Sequence, residues 1–382
     1  MLRKNRIAFL LGCAAIYFLS FNQYYNTSRV NTLAFSLDLD RQIDGRLFAE
    51  SLRERIERTQ KFLMHDFEMD YVDINAVTLD DDPCIDLRII VIVYDRAESM
   101  KRLLNSLNEA DYLGDCVILD IWIDRSIDNV IDPVTYKMAS EFTFKHGICR
   151  VHNQTDHVGI YGQWMKTWHP ADDSHEIAVF LEDDLTVSPY FYKWLKAVHK
   201  MYDDNPYING YSLYSLSVRH KDTMKYRILP NFIPPEHVVY LYPLLATWGF
   251  SPSKQNWMKF ISWFYRVSRD PEFQPIIPGL MASAWYQKLK ERNRTDTMWS
   301  MWHIYYAWKN SEFTMHPNLP ERQSLAVNWK EPGLHVENKT VSEKKEKENF
   351  DFNTSLLYEW DDQFINFPEN PLRISASGEV VH

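Results

Sequence analysis

Three places in this 382-residue chain set charged side chains directly after an apolar run: Asp95-Arg96 after Leu87 to Tyr94, Asp124-Arg125 after Val117 to Ile123, and Glu182-Asp183-Asp184 after Ile177 to Leu181. Side chains alternate across an extended strand, so Glu182 and Asp184 are expected to share a side while Asp183 faces the other way. Carboxylates gathered beside a crevice repel one another, and burying them is costly unless a cation or hydrogen-bond donors compensate. A hard divalent ion, Mn²⁺ or Mg²⁺, is the economical partner, because it prefers oxygen ligands and can bridge to the oxygens of a departing diphosphate. The competing reading is an acidic cap on the following helix. Ser188-Pro189 precedes a helical stretch from about Tyr190 to Met201, and Ser188 could serve as its N-cap.

The elements that must position these residues follow α/β grammar. LRIIVIVY (87 to 94) is a continuous apolar run suited to a central parallel strand, followed by a helix from about Ala97 to Leu107. VILDIWI (117 to 123) and IAVFL (177 to 181) read as further strands. Strand, helix, strand order implies right-handed crossovers and a mostly parallel sheet, whose ligand crevice lies beyond the carboxyl ends of the strands. The second half is dense in tryptophan: Trp248, Trp257, Trp263, Trp285, Trp299, Trp302, Trp308 and Trp329. These are expected to be core and groove-wall residues, some of which could act as platforms for sugar rings.

The ordered segments Val93-Tyr94-Asp95-Arg96, Trp122-Ile123-Asp124-Arg125 and Val179-Phe-Leu-Glu-Asp-Asp-Leu-Thr-Val-Ser-Pro-Tyr-Phe191 resemble the GT-A glycosyltransferases. The resemblance is to the N-acetylglucosaminyltransferase I and protein O-mannose N-acetylglucosaminyltransferase group, and covers about Leu87 to Leu216 well and the C-terminal third loosely. It implies a Rossmann-like GT-A fold and metal-dependent transfer of a sugar, GlcNAc being the family's suggestion, from a nucleotide diphosphate donor to a hydroxyl of a glycan or glycoprotein. It also implies that Asp184 ligates the metal, that Glu182 and Asp183 orient the donor and its hydrated ion, and that Arg96 and Asp124, with Asp95 beside them, hold the donor's phosphate and its uracil or ribose. Glu331-Pro332-Gly333-Leu334-His335 is similar to a late Gly-x-His segment of GT-A domains, which implies that His335 reaches the metal or diphosphate. The sequence departs from the family at the base. Where inverting members carry a carboxylate between two tryptophans, this chain reads Trp299-Ser300-Met301-Trp302. Asp296 is the substitute, with Asp270 and Glu272 as rivals.

The N-terminus bears on compartment. Residues 7 to 21 contain no charge, and Arg3, Lys4 and Arg6 stand before them. With the flank through Tyr25 this reads as a retained signal-anchor more than a cleaved signal peptide, since no small-x-small site follows and paired tyrosines suit an aromatic belt. The expected organisation is a cytoplasmic tail (1–6), a transmembrane anchor (7–25), a lumenal stem (26–82) that is either a dimerising helix or a solvated spacer, a nucleotide-sugar-binding half (83–216) and an acceptor-binding half with the C-terminal tail (217–382). This describes a type II protein of the Golgi or ER membrane. Asn-x-Ser/Thr acceptors at Asn26, Asn153, Asn293, Asn338 and Asn353 are compatible with that placement.

Three cysteines outside the anchor, Cys84, Cys116 and Cys149, allow at most one internal bridge. Composition excludes other classes. With 45% hydrophobic residues the chain is not a disordered tract, and a net charge of −10 disfavours a nucleic-acid coat, which needs a basic stripe to displace counterions. The alternative to an enzyme is an inactive lumenal lectin or chaperone on the same scaffold. A nucleotide-sugar hydrolase and a metal-dependent nuclease are further rivals.

Overall fold

The computed structural model describes residues 85–216, 233–329, 331, 355–376 and 378–381. The expected anchor and stem, Cys13, Cys84, Asn26, Asn338, Asn353 and His335 lie outside these residues. No helix among the described residues is long and apolar enough to cross a membrane.

The apolar runs form the expected strands: β1 is Leu87–Val93, β2 Val117–Ile123 and β4 Ile177–Glu182, with β3 (Gly147–Asn153) added on the outside. β1 pairs in parallel with both β2 and β4, and β2 pairs in parallel with β3. Helix α1 (Ala97–Asn108) joins β1 to β2, α2 (Pro133–Glu141) joins β2 to β3, and α3 (Gly159–Lys166) joins β3 to β4. Alternate residues of the central strands serve two cores. Ile89, Val91, Val179 and Leu181 pack beneath α1, whose Met100, Leu103, Leu104 and Leu107 recur at helical spacing. Ile90, Ile92, Ala178 and Phe180 pack on the opposite face against Trp164 and Met165 of α3. Each fully buried Leu, Ile or Phe adds about 1.5–3 kcal/mol, so both faces are held strongly. Because α1 and α3 cover opposite faces, the winding reverses between β1 and β4, and a crevice opens at their carboxyl ends.

Beyond β4 the chain continues through β5 (Leu185–Val187), α4 (Phe191–Tyr202), β6 (Ile208–Ser212), β7 (Val239–Tyr242), β8 (Phe250–Pro252), α5 (Lys254–Val267), α6 (Met281–Glu291), α7 (Ser300–Asn310), β9 (Phe313–Pro317), β10 (Ala326–Asn328), β11 (Leu372–Ile374) and β12 (Val380–Val381). The large sheet has ten strands in the order β12-β11-β7-β9-β6-β8-β4-β1-β2-β3. The sheet is mostly parallel, as expected, with β6 pairing in parallel with β9 and β7 with β11; the antiparallel pairs lie in its second half, where β8 runs against both β4 and β6 and β7 against β9. Gly210 permits the close β6–β8 approach, because a Cβ there would lie 2.6 Å from the Phe250 ring and 2.7 Å from the Ser251 carbonyl oxygen.

One further expectation changes. Tyr190, not Ser188, occupies the N-cap position of α4 and makes no side-chain cap. The Ser188 hydroxyl instead accepts from the Tyr190 N–H at 3.1 Å and donates to the Leu357 carbonyl at 2.5 Å, tying the C-terminal segment to the sheet. Cys116 and Cys149 are both free thiols. Asn153 and Asn293 are both exposed, the latter at a φ of 52° in a turn.

Candidate functional site

The carboxyl ends of β1 and β4 bring Arg96 against the acidic triplet. Arg96 sits where α1 begins, with no side-chain cap of its own, and its guanidinium spans two carboxylates. Nε donates to Asp183 Oδ2 at 3.1 Å, Nη2 donates to the other Asp183 oxygen, and Nη1 donates to Asp184 Oδ2 at 3.1 Å. Strict strand alternation therefore fails at Asp183. β4 ends at Glu182 and residues 183–184 form a turn, so both aspartates reach one arginine. Glu182 keeps the strand's parity and faces α3, where its Oε1 accepts from the Trp164 indole N–H at 3.2 Å.

A strap from the far end of the chain covers the triplet. β10 pairs antiparallel with β5, and Asn328 Nδ2 donates to Asp184 Oδ1 at 2.8 Å. The Trp329 N–H donates to the Asp184 carbonyl at 2.9 Å, and its indole N–H donates to the Thr186 hydroxyl at 2.7 Å. Glu331 then accepts hydrogen bonds from Ser99 and Arg102 of α1, while Arg102 lies 4.6 Å over the Trp329 ring. The segment similar to the late Gly-x-His motif thus starts beside the carboxylates; His335 itself lies outside the described residues.

Charge in this cluster is out of balance. Glu182, Asp183 and Asp184 face the single Arg96, with Glu331 close enough to Asp183 to repel it. Burial, then repulsion from Asp184 and Asp183, pushes the Glu182 carboxyl well above the usual carboxylate range. Burial also raises Asp183, against the opposing pull of Arg96. Among the described residues no group of three or more His, Cys, Asp or Glu is arranged to hold a metal ion. The all-oxygen donor set, three carboxyl groups to one arginine, fits a hard divalent cation, which would offset the repulsion among them. In the described arrangement, however, Arg96 and Asn328 already engage both oxygens of Asp184, so a cation would have to replace the Arg96 contacts.

Asp124, at the end of β2, is buried and fully engaged. Its Oδ1 accepts from the N–H groups of Arg125 at 2.8 Å and Val158 at 2.9 Å, and its Oδ2 accepts from the Gly159 N–H at 2.8 Å. This carboxylate therefore caps the start of α3, a favourable place for negative charge. His157 Nδ1 lies 3.3 Å from Asp124 Oδ2 and 2.5 Å from the Arg125 carbonyl oxygen. The hydrogen bond to Asp124, only partly opposed by burial, raises the His157 imidazole above its ordinary value. Asp95 is exposed at the crevice mouth.

Asp296 lies on a short helical turn, Thr295–Thr297, and is exposed. Tyr161 of α3 anchors that turn by donating to the carbonyls of Thr295 at 2.9 Å and Met298 at 3.2 Å. The turn therefore sits against α3, the helix that Asp124 caps, and no hydrogen bond joins Asp296 to the acidic triplet. The flanking tryptophans are core residues: Trp299 stacks on Trp164 at 4.2 Å, and the Trp302 indole N–H donates to the Tyr161 hydroxyl at 3.1 Å. Asp270 and Glu272 are exposed on the loop after α5, where Asp270 Oδ1 accepts from the Glu272 N–H at 2.9 Å. Neither of these rivals is hydrogen-bonded or ion-paired to the triplet.

Asn328 and His157 were not legible as site residues. Asn328 is 144 positions from its partner Asp184 and carries no motif. His157 follows β3, so the rule that singled out the other strand ends would have reached it, but β3 has no fully buried residue and offers no apolar run to mark it.

No protein-family model matches the chain, and no curated protein sequence matches it. Similar solved structures do exist. Residues 1–349 of S. aureus TarS align at 12% identity with a TM-score of 0.36 over 64% of this chain, and the chain spans only 61% of that fragment. Mouse xyloside xylosyltransferase 1 aligns at 12% identity with a TM-score of 0.34, covering 60% of this chain and 84% of the enzyme. Pyrobaculum calidifontis mannosyltransferase PcManGT, solved with GDP-Man and Mn2+, aligns at 16% identity with a TM-score of 0.31 over 44% of each chain.

Proposed function

We propose that this chain is a nucleotide-sugar-dependent glycosyltransferase of GT-A type, acting on a hydroxyl of a glycan or glycoprotein. One observation carries the reading: at the switch point between β1 and β4, three carboxyl groups converge beside a single arginine, and burial with mutual repulsion raises Glu182 and Asp183 above the usual carboxylate range. A cluster of that kind favours a doubly charged cation, and a cation beside a diphosphate stabilises the leaving group. Asp184 and Asp183 would hold the ion, with Glu182 set back against Trp164. When bound, the ion supplies charge compensation for the departing diphosphate. Arg96 provides a guanidinium matched in geometry to phosphate oxygens, and the exposed Asp95 and buried Asp124 flank the donor's nucleoside. Asp296, on the turn anchored by Tyr161, would accept the proton of the attacking hydroxyl. UDP-GlcNAc is the donor to try first, and the N-terminal apolar segment suggests a lumenal, membrane-anchored protein.

The second reading is an inactive sugar-binding protein on the same scaffold. It is favoured by the engagement of both Asp184 oxygens within the protein. Asp184→Asn separates the two. As a transferase, the variant is expected to lose at least about 100-fold in Mn²⁺-dependent release of UDP from UDP-sugars, while its melting temperature stays near that of the parent chain. Turnover at the parent rate in this variant would remove the metal role. Absence of donor cleavage by the parent chain across UDP-, GDP- and CMP-sugars would favour the binding protein.

A further inference from the structure

A second concave site lies on the far side of the tryptophan core. Helices α5 and α7 pack through Phe260, Phe264 and Ile304, leaving their outer ridges to wall an open cleft of about 750 Å³. Its wall is a packed set of aromatic rings. Trp263 and Tyr305 lie nearly parallel at 6.0 Å, Tyr306 is 5.2 Å from Trp263, and Phe273 stands edge-on to Tyr305 at 5.3 Å. Lys259, Trp263 and Arg266 recur at i, i+4 and i+7 on α5, so one helix face presents cation, indole and cation together. Lys309 projects from α7 into the same cleft, with Asn310 beside it. None of these three cations has a salt-bridge partner among the described residues, in a chain whose net charge is −10. Glu312 interacts electrostatically with Lys259. Asp270 and Glu272 precede Phe273 without lining the cleft.

Flat indole and phenol faces suit the C–H faces of sugar rings, and unpaired ammonium and guanidinium groups suit carboxylate or sulfate. We infer that this cleft binds an acidic saccharide, its ring against Trp263 and Tyr305 and its anionic groups against Lys259, Arg266 and Lys309. The back of the wall leads to the candidate catalytic side. Phe273 packs 5.5 Å from Trp302, which donates to the Tyr161 hydroxyl, which in turn anchors the turn carrying Asp296. The cleft would thereby hold the part of an acidic acceptor remote from the reacting hydroxyl. That role rests on the transferase reading, whereas the binding itself does not.

The test is direct titration of the full chain, by calorimetry and tryptophan fluorescence, with a hyaluronan tetrasaccharide, a chondroitin-sulfate tetrasaccharide, chitotetraose and UMP. At least one of the two acidic tetrasaccharides is expected to bind at least 10-fold more tightly than chitotetraose, with affinity falling as salt rises. Which of the two binds more tightly distinguishes sulfate from carboxylate recognition. Trp263→Ala and Lys309→Glu are each expected to weaken binding at least 10-fold. Lys309 is exposed at a helix end, so that variant reads the site even where loss of the indole disturbs folding. Binding that survives unchanged in Asp184→Asn identifies the cleft independently of transfer. Failure of both acidic tetrasaccharides to bind, equal affinity for chitotetraose, displacement by equimolar UMP, or binding unmoved by Lys309→Glu would overturn the inference.

Discussion

Two buried groups away from the crevice have consequences that can be measured. Arg88, second residue of β1, makes a bidentate contact with Glu176, Nε donating to Oε1 and Nη2 to Oε2, each at 3.0 Å, and reaches Asp120 Oδ2 at 2.6 Å through Nη1. His152 binds the other Asp120 oxygen at 2.8 Å, and the Trp168 indole N–H donates to Glu176 at 2.7 Å. Burial alone would raise the Asp120 carboxyl, but the His152 hydrogen bond and the Arg88 charge outweigh it and hold it below its ordinary value. An acid held low stabilises above its ordinary range and loses that contribution as pH falls through the folded value. Arg88→Met, which takes the guanidinium away from two buried carboxylates, is expected to cost about 3–5 kcal/mol in urea unfolding at pH 7. The deficit is expected to shrink below pH 4, where the carboxylates protonate; a constant deficit at both pH values would contradict this account.

Glu312 shows the opposite sign. Burial pushes its carboxyl up to about 7, and its Oε2 has no hydrogen-bond partner. An acid raised on folding costs stability progressively as pH climbs from 4.5 to about 7. Glu312→Gln is therefore expected to raise stability by about 1–2 kcal/mol at pH 8, a figure discounted for partial solvent screening, and to have no effect at pH 4. Differential scanning fluorimetry at the two pH values reads the difference.

At the scale of elements, the start of α3 is the joint on which both sides of the crevice depend. Val158, in the N-cap position, has no side chain able to cap, so the cap comes from Asp124 across the sheet. α3 then presents Tyr161 to the Asp296 turn and Trp164 to Glu182. Asp124→Ala leaves backbone N–H groups at this helix start without acceptors, and is expected to cost about 1–3 kcal/mol. Hydrogen exchange at Val158 and Gly159 is expected to accelerate more than at Leu104 of α1; uniform acceleration across the chain would mean global destabilisation without a local cap. The β5–β10 pair is the comparable joint on the other side, since it holds Asn328 and Trp329 over Asp184.

At the scale of the molecule, the doubly covered sheet explains why so much charge can be tolerated at one rim. Strands buried on both faces are held by apolar packing in two directions, which offsets the cost of crowding Glu182, Asp183 and Asp184 where those strands end. A ligand that binds only the native state raises the melting temperature by mass action. UDP-GlcNAc with Mn²⁺ at 100 times its dissociation constant is expected to stabilise by about 2.7 kcal/mol, a rise of several degrees, and either component alone by less. No shift with any UDP-, GDP- or CMP-sugar, with or without metal, would count against a donor site at the β1–β4 rim.

The amino-acid order by itself determined the central strands β1, β2 and β4 and helix α1, because long apolar runs and helical spacing are local signals that burial on either face amplifies. It also determined that Arg96, Asp124 and the acidic triplet stand at strand ends, since that follows from where each run stops. It did not determine that both aspartates would turn onto Arg96, that Asp124 would serve α3, or that Asn328 would close over Asp184. Those pairings join residues 34 to 144 positions apart and depend on which strands are neighbours. Strand neighbours are chosen by the packing of whole faces, which no stretch of sequence carries alone, and so only the tertiary structure decided them.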